Sequence, residues 1–329
     1  MSRFTFKLFI FSIVPIVILL GSYLYLDPFK VLYHYDDYSG RLSFNRDYVS
    51  TQTFLNKYNG KNYNSYIFGS SRTIAYDPAS WKKYLDNNAL PYLFDASCES
   101  VYGIYTKLRY LDSIHAPLNN VLIVMDNDFT FATDHDQPGY LFIKHPLISH
   151  NGYWNFHMNF IKAYLHPYFL FSLYTYRITG KYYSFMQNYI NKNDIVLDSI
   201  TNRMVVPVRE KELKDNPDLY YSKLIPMFEN GNGEVRDSVD MISSAAVTML
   251  EEISSILRKN NTNYKIVISP LYNKIKFSVN DMKRLDSIFS HNIYDFSGAN
   301  EITNDYRNYY ELSHYRLHVG DTILRRIYH

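Results

Sequence analysis

Nineteen consecutive positions, Leu8 to Leu26, carry no charged side chain and follow the basic residues Arg3 and Lys7. At about 1.5 Å per residue a helix of that length reaches roughly 28 Å, close to the hydrocarbon thickness of a bilayer. The pattern predicts one membrane-spanning helix over 8–26, with residues 1–7 as a cytoplasmic tail. Two basic residues precede it and Asp27, Asp36 and Asp37 follow it, so the remainder of the chain is expected on the outer side. A cleaved signal peptide is the competing reading. The apolar stretch is long for such a peptide, however, and no clear small-x-small site follows Gly21-Ser22. Pro15 is tolerable inside a membrane helix. No second apolar run of about 18 residues exists, which makes this a single-pass pattern.

Beyond the anchor, residues 27–61 are rich in Tyr, Asp and Asn and read as a juxtamembrane connector with a short helix near Thr51–Lys57. Short apolar runs and helical periodicities then alternate through 62–329. Strands are predicted at Tyr66–Phe68, Tyr92–Asp95, Asn120–Met125, Tyr264–Pro270 and Asn292–Phe296. Helices are predicted at Pro78–Asn87, Tyr102–Ile114, Ser238–Arg258, Asn280–Ser290 and Val319–Ile327. Asn120-Val121-Leu122-Ile123-Val124-Met125 is the continuous β-rich run that buried parallel strands carry. Strand-helix alternation of this kind implies an α/β fold with about five parallel strands and right-handed crossovers. The alternation breaks from 129 to 237, a stretch too long for a plain connection, and this reads as an aromatic insertion after the third strand. Within it, Tyr153–Leu165 and Tyr182–Ile190 are the predicted helices.

Composition narrows the function classes. The 329 residues have a net charge of +2 and no extended basic run, which speaks against a nucleic-acid groove. Neither GxxxxGK[ST] nor GxGxxG occurs, so the phosphate-cradling loops have no support. A single cysteine, Cys98, excludes an intramolecular disulfide framework and a multi-thiolate metal site, and reads as a small core residue. The chain holds 34 tyrosines and 21 phenylalanines, concentrated between Tyr140 and Tyr189. Such aromatic faces can stack on sugar rings or simply pack as core, and packing is the simpler reading. Asp134-His135-Asp136 has metal-binding spacing but reads as a loop, and Asn151-Gly152 marks a turn.

Candidate chemistry lies at two distant places. Ser65-Tyr66-Ile67-Phe68-Gly69-Ser70-Ser71-Arg72-Thr73 predicts a strand-to-helix turn carrying two hydroxyls, at the end of a parallel sheet where reactive groups collect. Ser70 and Ser71 alone would be read as helix caps. Arg72 is expected either to pair with a carboxylate that holds the turn or to contact an anionic substrate. Near the other end, Glu311 and His314 stand three residues apart, so the carboxylate can reach the ring and set its tautomer. A serine nucleophile needs such a base within hydrogen-bond reach.

These motifs together resemble the SGNH (GDSL-like) hydrolase superfamily. The features are GSSRT after the first strand, an acid-x-x-His-Tyr-Arg followed by Val-Gly before the last helix, and an apolar third strand ending in Asp126-Asn127-Asp128. They are most similar to the membrane-anchored branch that includes DltD and the alginate O-acetylation proteins. The resemblance covers about residues 62–128 and 238–329. It implies a three-layer α/β/α fold, with Ser71 as nucleophile, His314 as base and Glu311 where the family usually has Asp. It also implies oxyanion donors at the Ser71 amide, at Ser100 or a neighbour in the family's Gly position, and at Asn127. Met125-Asp126 does not reproduce the family's Gly-x-Asn-Asp, and Asp126 and Arg72 are accessory candidates.

By the same resemblance the expected activity is serine-dependent acyl transfer or ester hydrolysis on a cell-envelope polysaccharide. No cofactor or metal is implied, and the implied partner is a multi-pass acyltransferase of the MBOAT type. The alternative is a degenerate domain that binds glycan or scaffolds such an acyltransferase without chemistry of its own.

Overall fold

The computed structural model describes residues 3–134, 139–150, 152–231 and 236–329, with backbone alone for 3–6 and 8–10. The Asp134-His135-Asp136 spacing and the Asn151-Gly152 turn therefore fall partly outside the described residues.

Five strands build one sheet: β1 (Ser65–Gly69), β2 (Pro91–Leu93), β3 (Asn120–Met125), β4 (Asn263–Ile268) and β5 (Ile293–Asp295). All pair in parallel, in the order β2-β1-β3-β4-β5. The order reverses between β1 and β3, and at such a switch point the loops after the two strands diverge and leave a crevice at their carboxyl ends. The side chains alternate as a pleated strand requires. Tyr66, Phe68, Val121, Ile123, Ile266 and Ile268 enter one core, while Ile67, Leu122, Val124 and Val267 enter the other. Helices cover both faces, giving three α/β/α layers.

On the first face lie α2 (Arg46–Lys61), α3 (Val101–Ser113), α6 (Ser244–Lys259) and α7 (Val279–Phe289), contributing Phe54, Ile104, Leu108, Leu250, Ile253 and Leu285. On the second lies α8 (Leu317–Tyr328), which buries Val319, Ile323, Leu324 and Ile327. Ser100, Ser243 and Ser278 cap α3, α6 and α7 by accepting a backbone N–H from the first turn. Ser243 therefore starts α6 six residues later than the periodicity alone predicts. The helix expected over 78–87 stops at Lys82, ahead of an Asp-Asn-Asn sequence whose side chains compete for backbone bonds.

Two segments differ more from expectation. The connector contains the long helix α2, whose first half is buried, and Gly40–Leu42 pairs antiparallel with Ile190–Leu197 in a small second sheet. The helix expected over Tyr182–Ile190 is one 3-10 turn, Ser184–Met186, followed by that strand. Its exposure alternates residue by residue, a period of two that suits a strand with one face to solvent.

The insertion also carries α4 (Tyr153–Tyr164) and a helix not foreseen, α5 (Pro167–Thr179), with Pro in its first position and Gly180 in left-handed backbone (φ 65°) closing it. Part of its aromatic content packs as core: Phe156, Phe160, Tyr164 and Phe169 form a third cluster with Tyr23, Phe29, Tyr38 and Tyr48, while Trp154, Tyr168 and Phe171 are exposed.

The N-terminal helix α1 runs over Arg3–Leu26. Among the described residues no helix is long and apolar enough to cross a membrane.

Candidate active site

β1 ends in Gly69 at φ 145°, where a Cβ would come within 2.5 Å of the Val124 carbonyl oxygen of β3. Only glycine allows that approach without displacement. The chain then turns at once into a 3-10 turn, Ser71–Ala75, with Ser70 as its cap. Ser71 thus stands at the carboxyl end of the sheet's central strands.

The second half of the site arrives on a hairpin. Tyr309–Glu311 pairs antiparallel with His314–Tyr315, and Glu311 lies opposite His314 across the turn. Two tyrosines pin this hairpin to the end of β4: Tyr309 donates to the Pro270 carbonyl at 2.8 Å, and the Tyr315 hydroxyl lies 3.3 Å from that of Ser269. Tyr315 also reaches the Tyr76 hydroxyl at 3.2 Å, tying the hairpin to the segment that follows Ser71. Behind it, α8 packs so closely on the serine turn that a Cβ on Gly320 would meet the Ala75 carbonyl oxygen at 1.9 Å.

The result is a continuous relay. Ser71 Oγ lies 2.7 Å from His314 Nε2, although 243 residues separate them. His314 Nδ1 in turn meets Glu311 Oε1, whose Oε2 accepts the Ser313 amide at 2.8 Å. Burial pushes the Glu311 carboxyl upward, but the His314 ring, the Ser313 amide and Arg209 outweigh it and hold its pKa below the ordinary value. With Nδ1–H given to Glu311, Nε2 is left as an acceptor for the serine proton.

The other expected residues separate clearly. Arg72 is a structural brace: 9% exposed, it pairs with Asp126 at 2.9 Å and with Asp128. Asp126, 1% exposed, also accepts from Ser70 Oγ at 3.0 Å and from the Asp128 amide at 3.1 Å. The Asp126–Asp128 loop is thus bound to the serine turn. Of the two readings of Arg72, the ion pair is the one realised.

Ser100 does not serve as expected. Its amide donates to Glu99 Oε1 at 3.1 Å and its hydroxyl caps α3, so both are engaged by other partners. Ser97, three residues earlier, lines the cavity beside Ser71. Asn127 follows Asp126 on the loop after β3, and its Oδ1 is buried without a donor among the described residues. Cys98 is half-buried in the turn after β2, in left-handed backbone (φ 49°), rather than in the core.

A cavity of about 280 Å³ opens beside Ser71, walled by Phe44, Ile74, Leu141, Phe142, Ile195 and Met204, with Arg46 and Asn191 as polar members. Its walls come from the connector, the serine turn and the insertion. Arg46 is held there by Asp95, at 2.8 Å, and by Asn202. Sequence reasoning missed Arg46, Tyr309 and Tyr315; the Tyr in the His-Tyr-Arg motif was the one signal available.

A second buried charge cluster lies behind this wall. Lys107 reaches Glu99 at 2.5 Å and Asp47 at 3.1 Å, and Lys144 pairs with the same two carboxylates. Burial alone would raise the Asp47 carboxyl, yet the two ammonium groups and the His145 amide hold it well below its ordinary value. His145 is itself pushed down to about 4 by burial.

Among the described residues no group of side chains has the makings of a metal site. No protein-family model matches the chain, and no curated protein resembles it significantly in sequence.

Proposed function

We propose that the protein is a serine-dependent acyltransferase or esterase acting on a cell-envelope polysaccharide, held at the membrane by α1. The observation that carries this reading is the Ser71–His314–Glu311 relay, in which each polar atom meets the partner that acyl chemistry needs.

Ser71 Oγ attacks the acyl carbonyl while its proton passes to His314 Nε2. The tetrahedral intermediate expels the donor's alkoxide, which takes the proton from His314, leaving an ester on Ser71. Water or a glycan hydroxyl then attacks that ester. His314 accepts the incoming proton and returns it to Ser71 as the ester breaks. Glu311 keeps the ring oriented and balances the imidazolium. The Ser71 amide and Asn127 are the donors we assign to the oxyanion, and the apolar cavity is the place for the acyl group.

The anchor reading is supported by α1, where Phe11, Val14, Ile16, Val17 and Ile18 all leave their side chains exposed around the helix. Apolar side chains exposed at successive positions along a helix suit a lipid environment. A membrane acyltransferase of the MBOAT type remains the partner we propose as acyl supplier.

The second reading is a catalytically inert domain that binds glycan or scaffolds the acyltransferase, and the engagement of the Ser100 amide by Glu99 favours it. A fluorophosphonate probe separates the two. Labelling that disappears in Ser71→Ala, together with loss of nitrophenyl acetate turnover, supports the enzyme; an unlabelled wild-type protein overturns it.

A further inference from the structure

Where α1 ends, its side chains dock on the insertion. Ser22 Oγ lies 2.5 Å from the Tyr164 hydroxyl, the Tyr23 and Tyr164 rings are 5.1 Å apart, and Phe29 stacks on Phe169 at 4.9 Å. The pair α4–α5 therefore sits directly beside the point at which α1 meets the body.

One face of α5 is buried through Phe169, Ser172 and Leu173. The opposite face, which a soluble surface helix would make polar, carries Tyr168, Phe171 and Ile178, at 72%, 61% and 82% exposure. Their spacing of three and seven residues places them in one row. Phe185 extends the row by contact with Phe171 at 5.1 Å, and Tyr183 stacks on Phe185 at 5.8 Å.

Charge follows the same pattern. Between Asp136 and Asp194 there is no acidic residue, while Lys162, Arg177, Lys181 and Lys192 in that stretch are all exposed. Between Asp27 and Asp136 and beyond Asp194 the chain mixes both signs.

We propose that α4–α5 and the turn after them lie in the headgroup region of a lipid bilayer, a second membrane contact next to α1. An exposed apolar row with Tyr at its edge and basic residues around it matches the chemistry of an interfacial helix on anionic lipid. The contact fixes the orientation of the body above the membrane instead of leaving it on a swivel. It rests on the reading of α1 as an anchor and is independent of the chemistry at Ser71.

The test uses the full chain reconstituted in vesicles containing phosphatidylglycerol. In a Cys98→Ala background, single cysteines at Phe171→Cys and, as an exposed comparison site outside α4–α5, Val239→Cys carry a polarity-sensitive fluorophore, and lipids bearing a headgroup nitroxide serve as quencher. The expected result is a blue-shifted label at 171, quenched about threefold more than at 239. Equal quenching at both positions overturns the proposal. So does a shift at 171 that appears only after co-reconstitution of a multi-pass acyltransferase, which would give this face to a protein partner. Failure of the anchor reading looks different: a chain that does not float with the vesicles at all has neither contact, and that result overturns this proposal together with the anchor.

Discussion

Glu311 reaches His314 with one methylene more than an aspartate would, and the hairpin accommodates the extra length by setting the two residues opposite each other across a two-residue turn. The Ser313 amide on the second carboxylate oxygen removes the freedom that the longer side chain would otherwise have. We expect Glu311→Gln to lower kcat on a nitrophenyl ester by on the order of 10²–10⁴-fold with little change in KM, because the amide favours the wrong ring tautomer. A titration checks the sign. A carboxyl whose pKa is depressed by folding contributes stability that is complete above its unfolded value, about 4.3. That contribution is lost as the pH falls through the lower folded value. Wild-type protein should therefore lose more stability than Glu311→Gln on moving from pH 5 to pH 3 in urea melts. Equal losses would mean that the Glu311 pair is not formed in solution.

At the level of helices and strands, legibility depended on how much of an element's identity is local. Asn120–Met125 is buried on both faces, so its apolar run is continuous and its boundaries coincide with those predicted. Helix α2 is different: Arg46–Lys61 has a polar sequence, and it is buried because Arg46 and Asp47 find Asp95 and Lys107, partners far along the chain. Ile190–Leu197 exists as a strand because Gly40–Leu42 lies beside it. For α5 the signals were present, Pro167 at the start and Gly180 at the end, and the aromatic composition obscured them. Helix α8 offers the sharpest test at this level. In Gly320→Ala the new methyl group would meet the backbone oxygen of Ala75, so helix and serine turn must separate. A cost of about 1–3 kcal/mol is expected in chemical denaturation. The more telling effect is a drop in fluorophosphonate labelling of protein that is still folded, as the hairpin moves away from Ser71.

Across the whole molecule, the insertion and the connector are joined to the sheet layer by buried charge as well as by apolar contact. Glu99 is the common partner of Lys107 in α3 and Lys144 in the insertion, and all three are nearly inaccessible to water. Glu99→Ala would leave two ammonium groups without that partner and is expected to cost about 3–5 kcal/mol, visible as a lower urea midpoint. None of this cluster was legible in the sequence, since its members are ordinary surface residue types scattered from Asp47 to Lys144. The pairing of Ser71 with His314 was legible only through the resemblance of two short motifs, because nothing local to either segment places it beside the other.

That separation has a consequence for the order of events during synthesis. The hydroxyl is synthesised 243 residues before the ring it meets, so under the proposed chemistry a chain that has not yet reached His314 holds an ordinary, unreactive serine. On that proposal Ser71 gains its base only when the hairpin of Glu311 and His314 has closed over the finished sheet.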